Sequence, residues 1–119
     1  MNKRKIGIWA ENLACEFLES KGWAIEARNF RYKRAEVDIV AWDQKTLVFA
    51  EVKYRSYDYY GAPEVAVDDA KQALILDAAA AYAEKINHDW ALRFDIIAIT
   101  GKPGELSIEH FPDAFFPQF

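Results

Sequence analysis

The sequence predicts an α/β or α+β sandwich in which helices cover a mixed sheet. Two segments repeat apolar residues at helical spacing, and five others show the apolar runs or alternation typical of strands. Their order is helix, three strands, helix, two strands. The 119 residues and 52% hydrophobic content fit one domain, residues 1–119, with a sizeable core.

The first helix is predicted from about Lys5 to Lys21, with Gly22 as the residue that ends it. Its apolar residues fall within one narrow arc and are Ile6, Trp9, Leu13 and Phe17. The second helix is predicted to begin with Asp68 or Asp69 as its cap and to run to about Ile86.

The strands are predicted between these helices and after them. In chain order they cover residues 23–28, 36–42, 46–54, 92–100 and 105–111. Three connections are also predicted: a basic, aromatic segment at 29–34, a polar turn at 43–45 and a tyrosine-rich loop at 56–63 that could face a substrate. The strand at 92–100 is strongly apolar and is predicted to be central. The tail at 112–119 exposes three phenylalanines unless it packs back or meets a partner chain.

Membrane and secretory segments are not indicated. No apolar run approaches the ~20 residues of a membrane span, and Glu11 and Asn12 interrupt the apolar stretch after the basic N-terminus. Cys15 is the single cysteine, so no internal disulfide can form, which favours a reducing cytoplasm.

The net charge of −4 argues against a strongly basic nucleic-acid binder, but the charge is unevenly distributed. Residues 1–60 hold eleven Lys and Arg against nine acids, a balance of +2; the remainder holds four against ten, a balance of −6. A local basic face for nucleic acid is one interpretation, and a solvated basic loop is the other. The cations concerned are Lys3, Arg4, Lys5, Arg28, Arg31, Lys33, Arg34, Lys53 and Arg55.

The predicted hairpin at 35–55 carries ionisable residues where apolar ones are expected. Glu51 and Lys53 share one face of their strand because side chains alternate with period two, and a short hairpin brings Asp38 close to them. Two carboxylates, with the Val52 carbonyl as a third oxygen, suit Mg²⁺ or Mn²⁺. Lys53 would then orient water or stabilise the transition state of phosphodiester hydrolysis.

The Asp/Glu-x-Lys pattern is weak by itself, since it occurs four times in the chain. Only Glu51-Val52-Lys53 ends an apolar strand that follows an acid-bearing one. The competing interpretation is a strand-end ion pair of Glu51 with Lys53 or Arg55. Lys71, in the first turn of the second helix, opposes the helix dipole and either has an anionic partner or is exposed without a role.

Other candidate residues are less specific. Glu11 lies on the flank of the first helix's apolar stripe, where it either approaches the sheet or reaches out to water. Glu36 is a further acid near Asp38 or simply charge at a strand edge. His88 and His110 are isolated, and the glycines form neither a phosphate loop nor a dinucleotide fingerprint.

Several segments together resemble the YraN-type family of small bacterial proteins, within the restriction-endonuclease-like nuclease superfamily. These segments are 10–14, 28–31, 35–41, 47–55, 71–72 and 93–95. Alanine stands at positions 10 and 35, where the family usually has glycine.

The resemblance implies a restriction-endonuclease-like mixed five-stranded sheet flanked by helices, similar to archaeal Holliday-junction resolvases and tRNA-endonuclease-like domains. It also implies that Glu11, Asp38, Glu51 and Lys53 occupy catalytic positions, with Asp38, Glu51 and Val52 around the metal. Ala35 would restrict backbone approach to the site. By analogy with resolvases, a homodimer is expected.

Three function hypotheses follow. The leading one is a metal-dependent endonuclease acting on DNA, with branched or damaged DNA as candidate substrates and Arg28, Arg31, Lys33, Arg34, Arg55 and Lys71 as nucleic-acid contacts. The second is a nucleic-acid-binding module with little or no catalysis, which the acidic net charge favours. The third is a protein-interaction module that uses the Phe-rich tail.

Overall fold

The computed structural model describes residues 2–55, 67–102 and 104–115. Seven elements follow the predicted order: α1 (Lys3–Ser20), β1 (Ala24–Tyr32), β2 (Ala35–Asp43), β3 (Thr46–Arg55), α2 (Asp69–Lys85), β4 (Leu92–Lys102) and β5 (Glu105–Phe111). The predicted loop at 56–63 lies outside the described residues.

The five strands form one mixed sheet in the order β1-β2-β3-β4-β5. Strands β3 and β4 are parallel, because the segment containing α2 returns the chain to the end of the sheet at which β3 begins. The other neighbouring strands are antiparallel. This confirms the α/β fold class. Strand β4 is interior, but β3 rather than β4 holds the central place.

Each face of the sheet is covered by one helix. On one face α2 packs through Ile75, Ala79 and Tyr82 against strand residues that include Phe49. On the other face α1 packs through small side chains, including Ala10 and Ala14. The site described below lies where both helices approach the same end of the sheet.

The buried face of α1 is rotated from the predicted arc. The buried residues are Ala10, Ala14, Cys15 and Leu18, while Trp9, Leu13 and Phe17 are partly buried beside them. Small alanine side chains let the helix backbone lie close to the sheet, so the alanine side and not the aromatic side faces inward. The rotation carries Glu11 towards the strands.

Strand β1 is longer than predicted, and the proposed connection at 29–34 was wrong. Antiparallel pairing with β2 continues to Tyr32 and Ala35, which leaves only Lys33 and Arg34 for the turn. The basic residues that suggested a loop alternate with aromatic ones on an edge strand. Phe30 packs edge-to-face against Tyr82 of α2, with ring centroids 4.9 Å apart.

The described part of the C-terminal tail packs back onto the sheet. Phe115 is buried against Phe94, with ring centroids 5.5 Å apart, and the Ala114 N–H donates to the Phe94 carbonyl at 2.7 Å. The last four residues, 116–119, lie outside the described residues. Neither described helix has the length and apolar character needed to cross a membrane.

Candidate functional site

Strands β2 and β3 separate at Asp38. Their ladder runs from Asp43–Thr46 to Ile39–Ala50 and ends there. One step beyond, the Val52 N–H donates to Asp38 Oδ2 at 2.8 Å. The carboxyl group therefore replaces the backbone acceptor that a continued ladder would supply, and it is fixed where the central strands part.

Asn29 lies opposite Asp38 on β1 and has a left-handed backbone conformation, with φ of 52°. The β1–β2 register is the same on both sides of this position, but Asn29 and Asp38 are not themselves paired; the flanking pairs are Arg28–Ile39 and Phe30–Val37. At this position the alternation of side chains between the two faces of the sheet shifts by one residue in both strands. In consequence, residues three apart pack into the same core on the α2 face, namely Ala27 with Phe30 and Val37 with Val40.

Glu51 on β3 faces the beginning of α2. Lys71 Nζ donates to Glu51 Oε1 at 2.6 Å, and only 12% of the Glu51 side chain is exposed. Asp68 caps α2 by accepting from the Lys71 N–H at 2.8 Å, which holds the first turn in place. Lys71 is therefore a partner of Glu51, and of the two interpretations of Lys71 the structure supports the one with an anionic partner.

The charge of Glu51 affects the ionisation of Asp38. Burial first, and then the charge of Glu51, raises the pKa of Asp38 to about 7; Glu11 adds to the rise, while the Val52 N–H and Lys71 oppose it. Burial lowers the pKa of Lys71, but its hydrogen bond to Glu51 and the nearby carboxylates outweigh burial and raise it. A cation beside Asp38 and Glu51 would stabilise both ionised forms.

These groups line a cleft of about 310 Å³, which we call the carboxylate cleft. Its lining residues are Arg34, Ala35, Glu36, Asp38, Glu51, Lys71, Leu74 and Ile75. Two predicted nucleic-acid contacts, Arg34 and Lys71, thus share one cleft with Asp38 and Glu51, two of the three predicted metal ligands. Ala35 lies at its wall.

Glu11 is held against β1 and does not reach out to water. Its Oε1 accepts from Asn29 Nδ2 at 3.0 Å and lies 3.7 Å from Arg28 Nη2, and 16% of its side chain is exposed. It lines a second cleft of about 410 Å³, which we call the basic cleft, with Lys3, Arg4, Gly7, Ile8, Asn29 and Arg31. Glu11 is thus electrostatically coupled to Asp38 but opens to a different cleft.

The other predicted residues are distributed around the two clefts. Lys53 is half-buried on β3 and lies outside the residues that line the carboxylate cleft. Arg31 pairs with Glu36 across β1 and β2 at 2.9 Å, and Lys33 Nζ lies 5.3 Å from the Tyr32 ring centroid. Arg55 Nη1 donates to the carbonyl of Tyr54 at 3.2 Å.

The carboxylate oxygens of Asp38 and Glu51 supply part of the ligand set that a hard cation such as Mg²⁺ needs. Mg²⁺ takes one or two carboxylates and completes its shell with water and substrate oxygens, and Asp38 and Glu51 supply two. Among the residues that the structure describes, no group of three or more His, Cys, Asp or Glu side chains converges as a metal site. Residues Asp38 and Glu51, with the predicted Val52 carbonyl, are those that would hold the ion.

A second polar cluster was missed by sequence reasoning, which took His110 as isolated. Asp95 is fully buried and accepts from Arg93 Nε and Nη2 at 2.9 Å each, from His110 Nε2 at 2.7 Å and from the Asp113 N–H at 2.9 Å. Lys21 Nζ lies 2.9 Å from His110 Nδ1, so the lysine donates and the histidine proton sits on Nε2. In the sequence, the sign of this cluster was Asp95 itself, an acidic residue between Phe94 and Ile96 in an apolar strand.

Fold and site together define an α/β domain with a mixed five-stranded sheet and a carboxylate pair at a strand separation. The chain belongs to the uncharacterised protein family UPF0102, whose sequence profile matches residues 10–99. This is the YraN-type family indicated by the sequence resemblance.

Similar proteins match over nearly the whole chain. A UPF0102 protein of Flavobacterium psychrophilum is 40% identical over 111 residues, covering 93% of each chain. One of Geobacter metallireducens is 42% identical over 116 residues, covering 97% of this chain and 95% of the relative. One of Geobacter sulfurreducens is 47% identical, covering 92% and 88%.

Proposed function

We propose that this protein is a metal-dependent endonuclease that hydrolyses phosphodiester bonds in DNA, with branched or damaged DNA as candidate substrates. The observation that carries the proposal is the pairing of Asp38 and Glu51 in a cleft that also contains Arg34 and Lys71. Carboxylates bind a divalent cation, and the neighbouring cations bind the phosphate that the ion activates.

The carboxylates would act as ligands in their ionised forms. A bound Mg²⁺ or Mn²⁺ lowers the pKa of water and offsets negative charge on the scissile phosphate. Asp38 is oriented for this role because the Val52 N–H fixes one of its oxygens. Glu51 Oε1 is engaged by Lys71, which leaves Oε2 for a ligand.

The surrounding residues would position the substrate and the two ligands. Arg34 and Lys71 would offset charge on the phosphate within the cleft, and Lys53 would orient the attacking water or stabilise the transition state. Glu11 accepts a hydrogen bond from the side chain of Asn29, which lies opposite Asp38, so Glu11 would help to position β1 and β2 at the site.

Hydrolysis of labelled duplex, flap, junction and RNA substrates with Mg²⁺ and Mn²⁺ tests the proposal. We expect Asp38→Asn and Glu51→Gln to lower the rate by about 100-fold or more. Asp89→Asn and Glu84→Gln are matched controls, because both acids are exposed and line neither cleft. No hydrolysis of any substrate by the wild type, or equal rates in all variants, would contradict the proposal.

A nucleic-acid-binding module with little or no catalysis is the second candidate. The observation that favours it is the 2.6 Å contact of Lys71 Nζ with Glu51 Oε1, since an ammonium group there already neutralises the carboxylate. In that case Lys71→Gln weakens DNA binding while wild type and Glu51→Gln both lack hydrolysis. Hydrolysis that depends on Glu51 excludes this alternative.

A further inference from the structure

The basic cleft contains three cations around one engaged acid. Lys3 and Arg4 are exposed and form no ion pair among the described residues, and the Arg31 side chain is 80% exposed. The lining acid, Glu11, is already occupied by Asn29 and Arg28. Because Arg31 is paired with Glu36, the uncompensated positive charge that the cleft presents to solvent comes from Lys3 and Arg4.

Lys3 and Arg4 do not stabilise the helix on which they lie. Lys3 and Arg4 belong to the first turn of α1, which has no acidic residue. Cations near a helix N-terminus oppose the helix dipole and weaken the helix. Anions at the same place would be stabilised by both the cations and the dipole. The arrangement thus favours an anionic ligand over a purely structural role.

The basic cleft adjoins the carboxylate cleft. Arg31 lines the first and Glu36 the second, and these two side chains are paired at 2.9 Å. Glu11, in the basic cleft, lies near enough to Asp38 for its charge to act on that carboxyl. A single extended anion can therefore contact both clefts, whereas an isolated anion would occupy one.

We propose that the basic cleft binds a backbone phosphate of the same nucleic-acid strand whose reacting phosphodiester lies against Asp38 and Glu51. The inference rests on the proposed function and extends it by naming a second contact with the substrate. Lys3 and Arg4 would neutralise that phosphate and Arg31 would lie between the two subsites. Recognition of this kind reads the backbone and is independent of base sequence.

The double variant Lys3→Gln/Arg4→Gln tests the inference, and Lys45→Gln/Lys85→Gln is its matched control. Each pair of changes removes two positive charges and takes the net charge from −4 to −6. Lys45 lies in the β2–β3 turn and Lys85 at the end of α2, and neither lines a cleft. Binding of a fluorescein-labelled duplex DNA of about 25 base pairs is followed by anisotropy in EDTA at several salt concentrations.

We expect the cleft variant to bind DNA roughly ten-fold more weakly at about 100 mM salt. When log K for DNA binding is plotted against log salt concentration, its slope should be smaller in magnitude by about 2. The control should keep the wild-type slope. Single-stranded DNA and duplex RNA should show the same ordering of variants, because the contact is to phosphate. Thermal melting followed by circular dichroism establishes that the variants fold. The single variants Lys3→Gln and Arg4→Gln repeat the binding test with one positive charge removed in each.

Equal loss in both double variants, which reports only net charge, or no loss in the cleft variant would overturn the inference. Absence of DNA binding by the wild type would overturn it as well. The proposed function is decided separately, since hydrolysis that depends on Glu51 would stand even if the cleft substitutions left binding unchanged.

Discussion

The backbone N–H of Val52 donates to Asp38 Oδ2 at 2.8 Å, although the ladder between their strands has already ended at Ile39–Ala50. A side chain thus replaces a main-chain acceptor at the centre of the sheet. The substitution opens space between β2 and β3 while leaving the Val52 N–H satisfied. Asp38 is therefore both a structural group and the proposed metal ligand.

Asp38 should make the fold less stable as pH rises. Burial and the charge of Glu51 raise its pKa to about 7 from 3.8, so between these values the unfolded chain releases a proton that the folded chain retains. The free energy of unfolding falls across that window. We expect Asp38→Asn to be more stable than wild type at about pH 8, by on the order of 2 kcal/mol, and nearly equal at about pH 4.

Urea unfolding at both pH values checks this prediction. Asp89→Asn, at an exposed position, should keep the wild-type pH dependence. If Asp38→Asn showed that same dependence, the carboxyl would not be the titrating group.

Lys71 should hold the pKa of Asp38 down. Its positive charge lowers that pKa, against the larger effects of burial and Glu51. Lys71→Gln is therefore expected to raise the pKa of Asp38 further, as followed by carboxyl ¹³C NMR. Lys85→Gln changes the same charge at the far end of α2 and should leave the titration in place. An unchanged pKa in Lys71→Gln would show that the two groups are not close in solution.

Asp95→Asn should destabilise the protein by about 3–5 kcal/mol near neutral pH, because it removes the buried negative charge of a hydrogen-bonded network and leaves Arg93 with Asp43, its more exposed partner. Burial raises the pKa of Asp95, but hydrogen bonds from His110, Arg93 and Asp113 outweigh burial and lower it. Its contribution is thus present above about pH 4 and lost as the pH falls through the folded-state pKa.

Denaturant unfolding at neutral and acid pH measures the Asp95 effect. Asp43→Asn removes the more exposed partner of Arg93 and should cost about 1 kcal/mol or less. Equal losses in the two variants would mean that the buried network contributes no more than a surface pair.

Asn29 should tolerate glycine better than a β-branched residue. Its φ of 52° is accessible to glycine and unfavourable for valine. We expect Asn29→Val to cost about 2 kcal/mol or more and Asn29→Gly about 1 kcal/mol or less, the latter through the lost hydrogen bond to Glu11. Thermal unfolding compares the two, and the reverse order would show that the left-handed conformation does not persist.

Local periodicity was enough to predict the type and order of the elements, although not the extent of β1. The predicted hairpin was enough to place Asp38 close to Glu51. The shift in side-chain alternation at Asn29 was not predictable, because the order of apolar and polar residues does not reveal a left-handed backbone conformation inside a strand. The Lys71–Glu51 contact depends on how α2 crosses the sheet, which sequence spacing does not specify. The Asp95–His110 contact likewise joins neighbouring strands through register alone.

Calorimetric titration with Mg²⁺ and Mn²⁺, with and without duplex DNA, tests the central claim that Asp38 and Glu51 form a metal site. We expect the wild type and Glu84→Gln to bind the ion, and Asp38→Asn and Glu51→Gln to lose binding. Failure of the wild type to bind either ion, with DNA present or absent, would contradict it.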